Sequence, residues 1–347
     1  MKPLLPYLQD AQKAADDLRQ IRWPDGVQCP RCGSAAVESR DRCDNGLQRF
    51  NCRHGAERLC QQLAMLTAWT HAIFAARKLK PRDWLLVIGL GPWKRNATDI
   101  AAAADIQERT APRCLHRLAG GLYETDQLDP SRQLETPVEA DACYQRAGST
   151  GRPRAVEHCD REPRQRGMQL RGRATAATGR PPILGLGQRR AKADQEAPAA
   201  PVSLAVLEQG RTATRKPLIS AKVQGGAQVF TDAYNISHCT KADYDHRTVN
   251  PGAGAYARRA PDGACVHGHT MAGLWSGLRH FLDRFKGISQ RFLPLRVIRD
   301  ECLHQHEHLN WCHTCEAAWR SIFSTTGDYL RRMAHQHRRI PLTLCYR

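Results

Sequence analysis

Pro137-Val-Glu-Ala-Asp-Ala-Cys-Tyr144 sets two carboxylates, Glu139 and Asp141, into an apolar, β-compatible stretch. An acid in or just after an apolar strand carries a desolvation cost, so it needs a partner, often a metal ion. A second such place follows downstream, where Gln228-Val-Phe-Thr231 runs into Asp232. Two aspartates on neighbouring strands can hold Mg²⁺ ions that activate a water and stabilise a leaving 3′ oxygen in phosphoryl transfer. Strand-end aspartates also occur without such a role, and these two stretches alone leave both readings open. Pro182-Ile-Leu-Gly-Leu186 and Val202-Ser-Leu-Ala-Val-Leu207 read as further strands. Beyond position 270 the period changes: Met271, Leu274, Trp275, Leu278, Leu282 and Phe285 form a helical apolar stripe that packs on a sheet. Strands followed by amphipathic helix make this an α/β region.

Upstream of the strands the chain is of another kind. Leu8, Ala11, Ala14 and Leu18 stand at helical spacing. Trp23-Pro-Asp-Gly26 is a turn, and it leads into Cys29-Pro-Arg-Cys32-Gly33. Two thiolates three positions apart reach one ion, with the glycine letting the backbone bend around it, so Zn²⁺ is the expected ligand. A ribbon needs a second pair some fifteen to twenty residues on. Cys52 falls there, but its partner position holds Gly55, which leaves His54, Cys60 or Cys43 as the fourth ligand. Residues 61–92 read as helical with a break at Lys80-Pro81, and residues 97–119 as two short helices about a turn near Ile106. The second of these carries Arg109, Arg113 and Arg117, side chains that meet phosphates and base edges, in a helix-turn-helix-like arrangement. A plain structural helical pair fits the same residues, and Pro112 lies where the second helix should run.

The bulk composition agrees with a polyanion partner. Lys and Arg number 52 against 34 Asp and Glu, a net charge of +18 over 347 residues. Such a surplus attracts phosphate and releases condensed counterions. Arg-rich stretches over 145–180 and 330–339 are candidates for phosphate contact, or solvated loops. Aromatic residues make up 6%, which argues against a reader of single-stranded RNA built on stacking. The apolar run Trp84-Leu-Leu-Val-Ile-Gly-Leu90 is too short to span a membrane, and the N-terminus has no signal-peptide core, so a cytoplasmic protein without a membrane partner is expected. There disulfides are rare, and the 14 cysteines are metal ligands or small buried hydrophobes.

Several blocks occur in order: Val138-Glu-Ala-Asp-Ala-Cys-Tyr-Gln145, Arg180-Pro-Pro-Ile-Leu-Gly-Leu186, Val229-Phe-Thr-Asp-Ala-Tyr234, Asp243-Tyr-Asp-His-Arg-Thr-Val-Asn250, Gly254-Ala-Tyr-Ala-Arg258 and Val266-His-Gly-His-Thr-Met-Ala-Gly-Leu-Trp-Ser-Gly-Leu-Arg279. With the first knuckle and the 97–118 segment they resemble the zinc-ribbon class of DDE insertion-sequence transposases. The resemblance covers most of the chain from about 20 to 310 and implies an RNase H-like mixed sheet flanked by helices, preceded by a zinc ribbon and a helix-turn-helix-like region. It implies four segments: a helix and ribbon over 1–60, a DNA-binding helical region over 61–130, the core over 131–310 and a basic tail over 311–347. By matching position Asp141 is the first carboxylate and Asp232 the second, the family's Asn falls on His269 and its Glu on Ala272, and Arg279 matches the basic residue seven positions later.

The resemblance implies Mg²⁺ or Mn²⁺ at Asp141 and Asp232, with His269, which prefers softer ions, as an alternative third ligand; Zn²⁺ is expected at Cys29, Cys32 and Cys52, with the adjacent His54 as a candidate fourth ligand. Its partners would be double-stranded DNA, both terminal inverted repeats and target, bound by a homodimer. The departures lie at polar positions. Alanine stands at 272, at 233 after the second aspartate and at 255, and the second knuckle and Pro112 depart as well. An alanine cannot bind a metal, and losing one of three ligands removes most of the rate of a two-metal site. The expected function is therefore strand cleavage and transfer with the third catalytic position lost, or DNA occupancy alone.

Overall fold

The computed structural model describes residues 10–30, 32–53, 66–70, 74, 79–90, 96–128, 133–148, 174–176, 178–189, 200–232, 243–250, 254–255 and 257–305. His54, Gly55, Cys60, Ala233, the basic tail, the linker near 191–199 and all but the ends of the 145–180 stretch lie outside these residues. Those described up to Thr125 fall in one compact unit and those from Asp126 to Gln305 in a second.

In the first unit helix α1 spans Ala11–Arg22. Asp10 caps it, its carboxylate accepting from the backbone N–H of Gln12 and Lys13, which satisfies two of the donors every helix start leaves over. Ala14, Ala15 and Leu18 are its buried face. Strands β1 (Val37–Arg42) and β2 (Gln48–Cys52) pair antiparallel, with an irregularity between Ser39 and Arg42. Helix α2 (Pro81–Leu90) starts on the proline that breaks the preceding pattern; a helix's first position has no N–H bond to lose. Helix α3 (Ala97–Ala104) is capped by Asn96 and ends on Asp105 in a left-handed conformation, φ 53°. Helix α4 (Thr110–Leu128) then runs unbroken. Pro112 is its third residue, inside the first turn where no intrahelical acceptor is available, so the helix accommodates it. Leu18, Trp69, Phe74, Trp84, Ile100 and Leu115 share one core. The Phe74 ring meets Trp84 edge-on at 4.8 Å between centroids.

The second unit is built on a five-stranded sheet, β3 (Val138–Tyr144), β4 (Pro182–Gln188), β5 (Val202–Val206), β6 (Gln228–Asp232) and β7 (Asp245–Val249). The order is β5-β4-β3-β6-β7. Strands β3, β4 and β5 are antiparallel neighbours, while β6 runs parallel to β3 and β7 parallel to β6. Helix α5 (Thr212–Lys222) covers one face, its Leu218 and Ile219 packing with Val138, Ala140, Leu184, Leu186 and Val229. Helices α6 (His269–Asp283) and α7 (Leu293–Gln305) cover the other, packing with Cys143, Ile183, Val202, Leu204 and Val206. A short hairpin, β8 (Ala257–Arg259) and β9 (Cys265–His267), leads into α6.

Two details fix the helices in place. On β4, a Cβ at Gly185 would lie 2.3 Å from Met271 Cε and 2.6 Å from Trp275 Cη2, so α6 lies close because that residue has no side chain. At the sheet edge, Glu301 of α7, 2% exposed, accepts from Leu204 N at 2.7 Å, and Gln305 donates to Val202 O at 2.7 Å. Helix side chains thus take up the β5 backbone groups that an edge strand leaves open to pairing.

Candidate metal and nucleic-acid sites

The N-terminal cysteines gather around the knuckle turn. Gly33, at φ 70°, donates its N–H to Cys29 O at 2.9 Å, and Cys29 N donates to Ser34 O at 2.9 Å. The hairpin returns Cys52 at the end of β2 to this turn. Sulfurs of Cys29, Cys32 and Cys52 all lie within 4.8 Å of one another, with Cys32 and Cys52 3.7 Å apart. Tetrahedral zinc with Zn–S near 2.3 Å wants sulfurs about 3.8 Å apart, so three thiolates suit Zn²⁺. Phe50, Trp23 and Val37 wall the site, with Trp23 edge-on to Phe50. Cys43, one alternative fourth ligand, instead accepts from Arg49 Nε at 3.2 Å and packs on the helical core. His54 and Cys60 lie outside the described residues.

The carboxylates of the sheet are held differently. Strands β3 and β6 pair in parallel at Val138 with Val229 and Glu139 with Phe230. Asp141 and Asp232 each lie two residues further along these strands. Because strand side chains alternate, Glu139 and Asp141 both face α6. Asp141 Oδ2 accepts from the Trp275 indole N–H at 2.9 Å, and its Oδ1 from Ala142 N at 2.7 Å.

Glu139, 1% exposed, is the hub of this face. Its carboxylate accepts from Arg189 Nε at 2.5 Å, from Thr270 Oγ1 at 2.9 Å and from Met271 N at 3.1 Å, with His267 Nδ1 at 3.2 Å. Helix α6 has Gly268 as its cap residue and no cap side chain, so a strand glutamate does that work across the fold. Arg189 also donates to the carbonyls of Cys265 and His267 and lies over the Phe230 ring at 4.1 Å. Burial holds the His267 imidazole below its usual pKa, helped by the charges of Arg189 and His269 and opposed by Glu139. The rings of His267 and His269 stack at 4.8 Å.

His269 and Thr270 open α6, while Ala272 and Arg279 lie on its exposed side. The positive charge of Arg279 reaches Cys143, opposing the burial that pushes this thiol up to about 12. Among the described residues, the group of three or more ligating side chains close enough to share an ion is the cysteine trio. Ala272 supplies no donor, and among the described residues Asp141, Asp232 and His269 do not form such a group.

On α4, Ala111, Cys114, Leu115 and Leu118 point into the core and Arg113 is exposed. Arg109 is exposed in the preceding turn, donating from Nε to Gln107 at 2.9 Å, and Arg117 is half-buried. Thr98 ties that turn to α3 by donating to Glu108 at 2.7 Å.

Comparison with known proteins bears first on the cysteine region: residues 9–62 match the transposase zinc-ribbon domain. Over 296 residues, 84% of this chain and 89% of the relative, the chain is 28% identical to an uncharacterized protein in transposable element ISH50 of Halobacterium salinarum. The chain is thus similar at its N-terminus to a transposase zinc ribbon and over most of its length to a protein of a transposable element. No solved structure matches it. The match to a zinc ribbon and the cysteine cluster together support zinc at the N-terminus. Among the described residues no helix is long and apolar enough to cross a membrane.

Sequence reading singled out Asp141 and passed over the work of Glu139 beside it. An acid two positions before another on an apolar strand was the available signal. Arg189, Thr270 and the indole of Trp275 gave none, since their partners lie far off along the chain.

Proposed function

We propose that this chain is of the transposase family, that it binds double-stranded DNA at the terminal inverted repeats of an insertion sequence, as a homodimer, and that its strand-cleavage centre is reduced to two carboxylates. The strand order β5-β4-β3-β6-β7, three strands antiparallel and the last two parallel, supports an RNase H-like core over 131–310. The ribbon of 1–60 and a helix-turn-helix made by α3 and α4 within 61–130 would recognise DNA, with Arg109, Arg113 and Arg117 as its contacts. Asp141 and Asp232 would be the surviving metal-binding acids, Arg279 a phosphate contact, and 311–347 a basic tail.

The observation that carries the incomplete centre is Ala272 on the exposed face of α6, one turn before the tryptophan bonded to Asp141. An intact two-metal site supplies both the nucleophile and leaving-group stabilisation, and two carboxylates without a third donor hold that pair of ions poorly. DNA occupancy, with repression of transposition as its consequence, is then the remaining biochemistry. The test is gel retardation and nicking of a duplex carrying the element's terminal repeats, in Mg²⁺ and in Mn²⁺. A retarded, uncut duplex is expected. Cleavage that is lost in both Asp232→Asn and His269→Ala would instead assign His269 as third ligand in an active transposase.

A further inference from the structure

In the first unit the chain on either side of the ribbon enters the core of the helices. Ahead of the ribbon α1 ends at Arg22, and Trp23 packs both on the core of the cysteine site and on that of the helices. Behind it Leu66 pairs with Phe50 of β2 through two backbone hydrogen bonds of 2.8 Å, and Ala68 and Trp69 then lie among the helices. The hairpin contributes its tip: Leu47, 2% exposed, and Cys43 pack with the same core.

Polar bonds tie the same pieces together. Arg22 donates to the carbonyls of Ala68 and Thr70 and lies over the Trp23 ring at 4.6 Å, joining the two flanks of the ribbon. Arg42 of β1 donates to Asp16 of α1 at 3.2 Å. Helix α3 meets the shared core through Ile100, Ala101 and Ala104, and α4 through Ala111, Cys114 and Leu115. A helix of eight residues such as α3 is unstable in water by itself, so its order depends on this packing. Part of the packing surface is in turn held by three cysteines gathered on one point, an arrangement favoured chiefly when an ion joins them.

We infer that zinc at Cys29, Cys32 and Cys52 sets whether the α3–α4 pair is folded, so that the cysteine site is a metal-controlled switch on DNA binding by that pair. Losing the ion frees the knuckle and β2, and with them Trp23, Leu47 and residues 66–69, which withdraws one wall of the helices' core. The inference rests on the DNA-binding reading of α3 and α4 and adds to it how that binding is regulated.

The experiment follows hydrogen exchange in the zinc-loaded full chain, in the same chain after chelation, and in Cys52→Ser. Protection in α3 and α4 should fall about a hundredfold or more, together with that of β1 and β2. Coupling is reciprocal, so Ile100→Ala, a change in the helices' core and outside the cysteine site, should weaken zinc binding by about tenfold or more in chelator competition. Protection retained in α3 and α4 after zinc removal, or an unchanged zinc affinity in Ile100→Ala, would overturn the switch. Fluorescence anisotropy on a duplex bearing the terminal repeats should show binding by the loaded chain and its loss on chelation. A loaded chain that binds no duplex, while α3 and α4 still lose protection without zinc, would overturn the DNA-binding reading and leave the folding link standing.

Discussion

The cysteine ribbon and the carboxylate face are both ligand sets, yet they are gathered by opposite means. In the ribbon a knuckle turn and a hairpin, all within residues 29–52, bring three sulfurs together. On the sheet the acids come from strands ninety residues apart in sequence, and protein groups already occupy them: Trp275 on Asp141, Arg189 with the α6 N-terminus on Glu139. The contrast teaches that a locally built site keeps its geometry wherever its few residues persist. A site assembled across the fold depends on members far apart in the chain, and its frame can stand when one of them changes.

Removing the metal should break this comparison most sharply. Structural zinc contributes about 10–16 kcal/mol to the folding of small zinc domains. Chelating it, or replacing Cys29 by Ser, should abolish hydrogen-exchange protection in β1 and β2 while β3–β6 stay protected. Loss of protection in the sheet as well would show that the sheet's stability also depends on the ribbon's metal.

Next comes Glu139→Ala. It leaves Arg189 buried without its carboxylate and uncaps α6, and breaking a buried pair costs about 3–5 kcal/mol. Urea denaturation should report that loss, with Glu139→Gln losing less. A negligible change would mean the hub is ornamental. Gly185→Ala follows at about 1–3 kcal/mol, since its methyl must displace Met271 and Trp275. If it melted like the parent, α6 would not lie as close to β4 as described. The smallest effect is Trp275→Phe, which deletes the indole bond to Asp141 for about 1–2 kcal/mol in thermal melts.

Much of this was legible in the chain itself. The apolar strands β3–β6 and the stripe of α6 stand where alternation and helical period put them. Helix α5 was not read, because Pro217 sits inside it and its polar residues hide a short apolar face. Strand β7 was missed because Asp245-His-Arg-Thr-Val249 is mostly polar and only half-buried. The hairpin strand β1, Val37-Glu-Ser-Arg-Asp-Arg42, is charged and exposed, so no period marks it. Of the site, the residue types at 29, 32, 52, 141 and 232 could be seen. The roles of Glu139, Arg189 and Glu301 could not, since each depends on a partner far along the chain that only folding supplies.

The central claim is that DNA binding and DNA cleavage have come apart in this chain. The most direct measurement follows both on one labelled duplex bearing the terminal repeats, incubated with the zinc-loaded protein in Mn²⁺. The account predicts a salt-sensitive complex with both strands intact. Strand breaks that disappear in Asp141→Asn would contradict it.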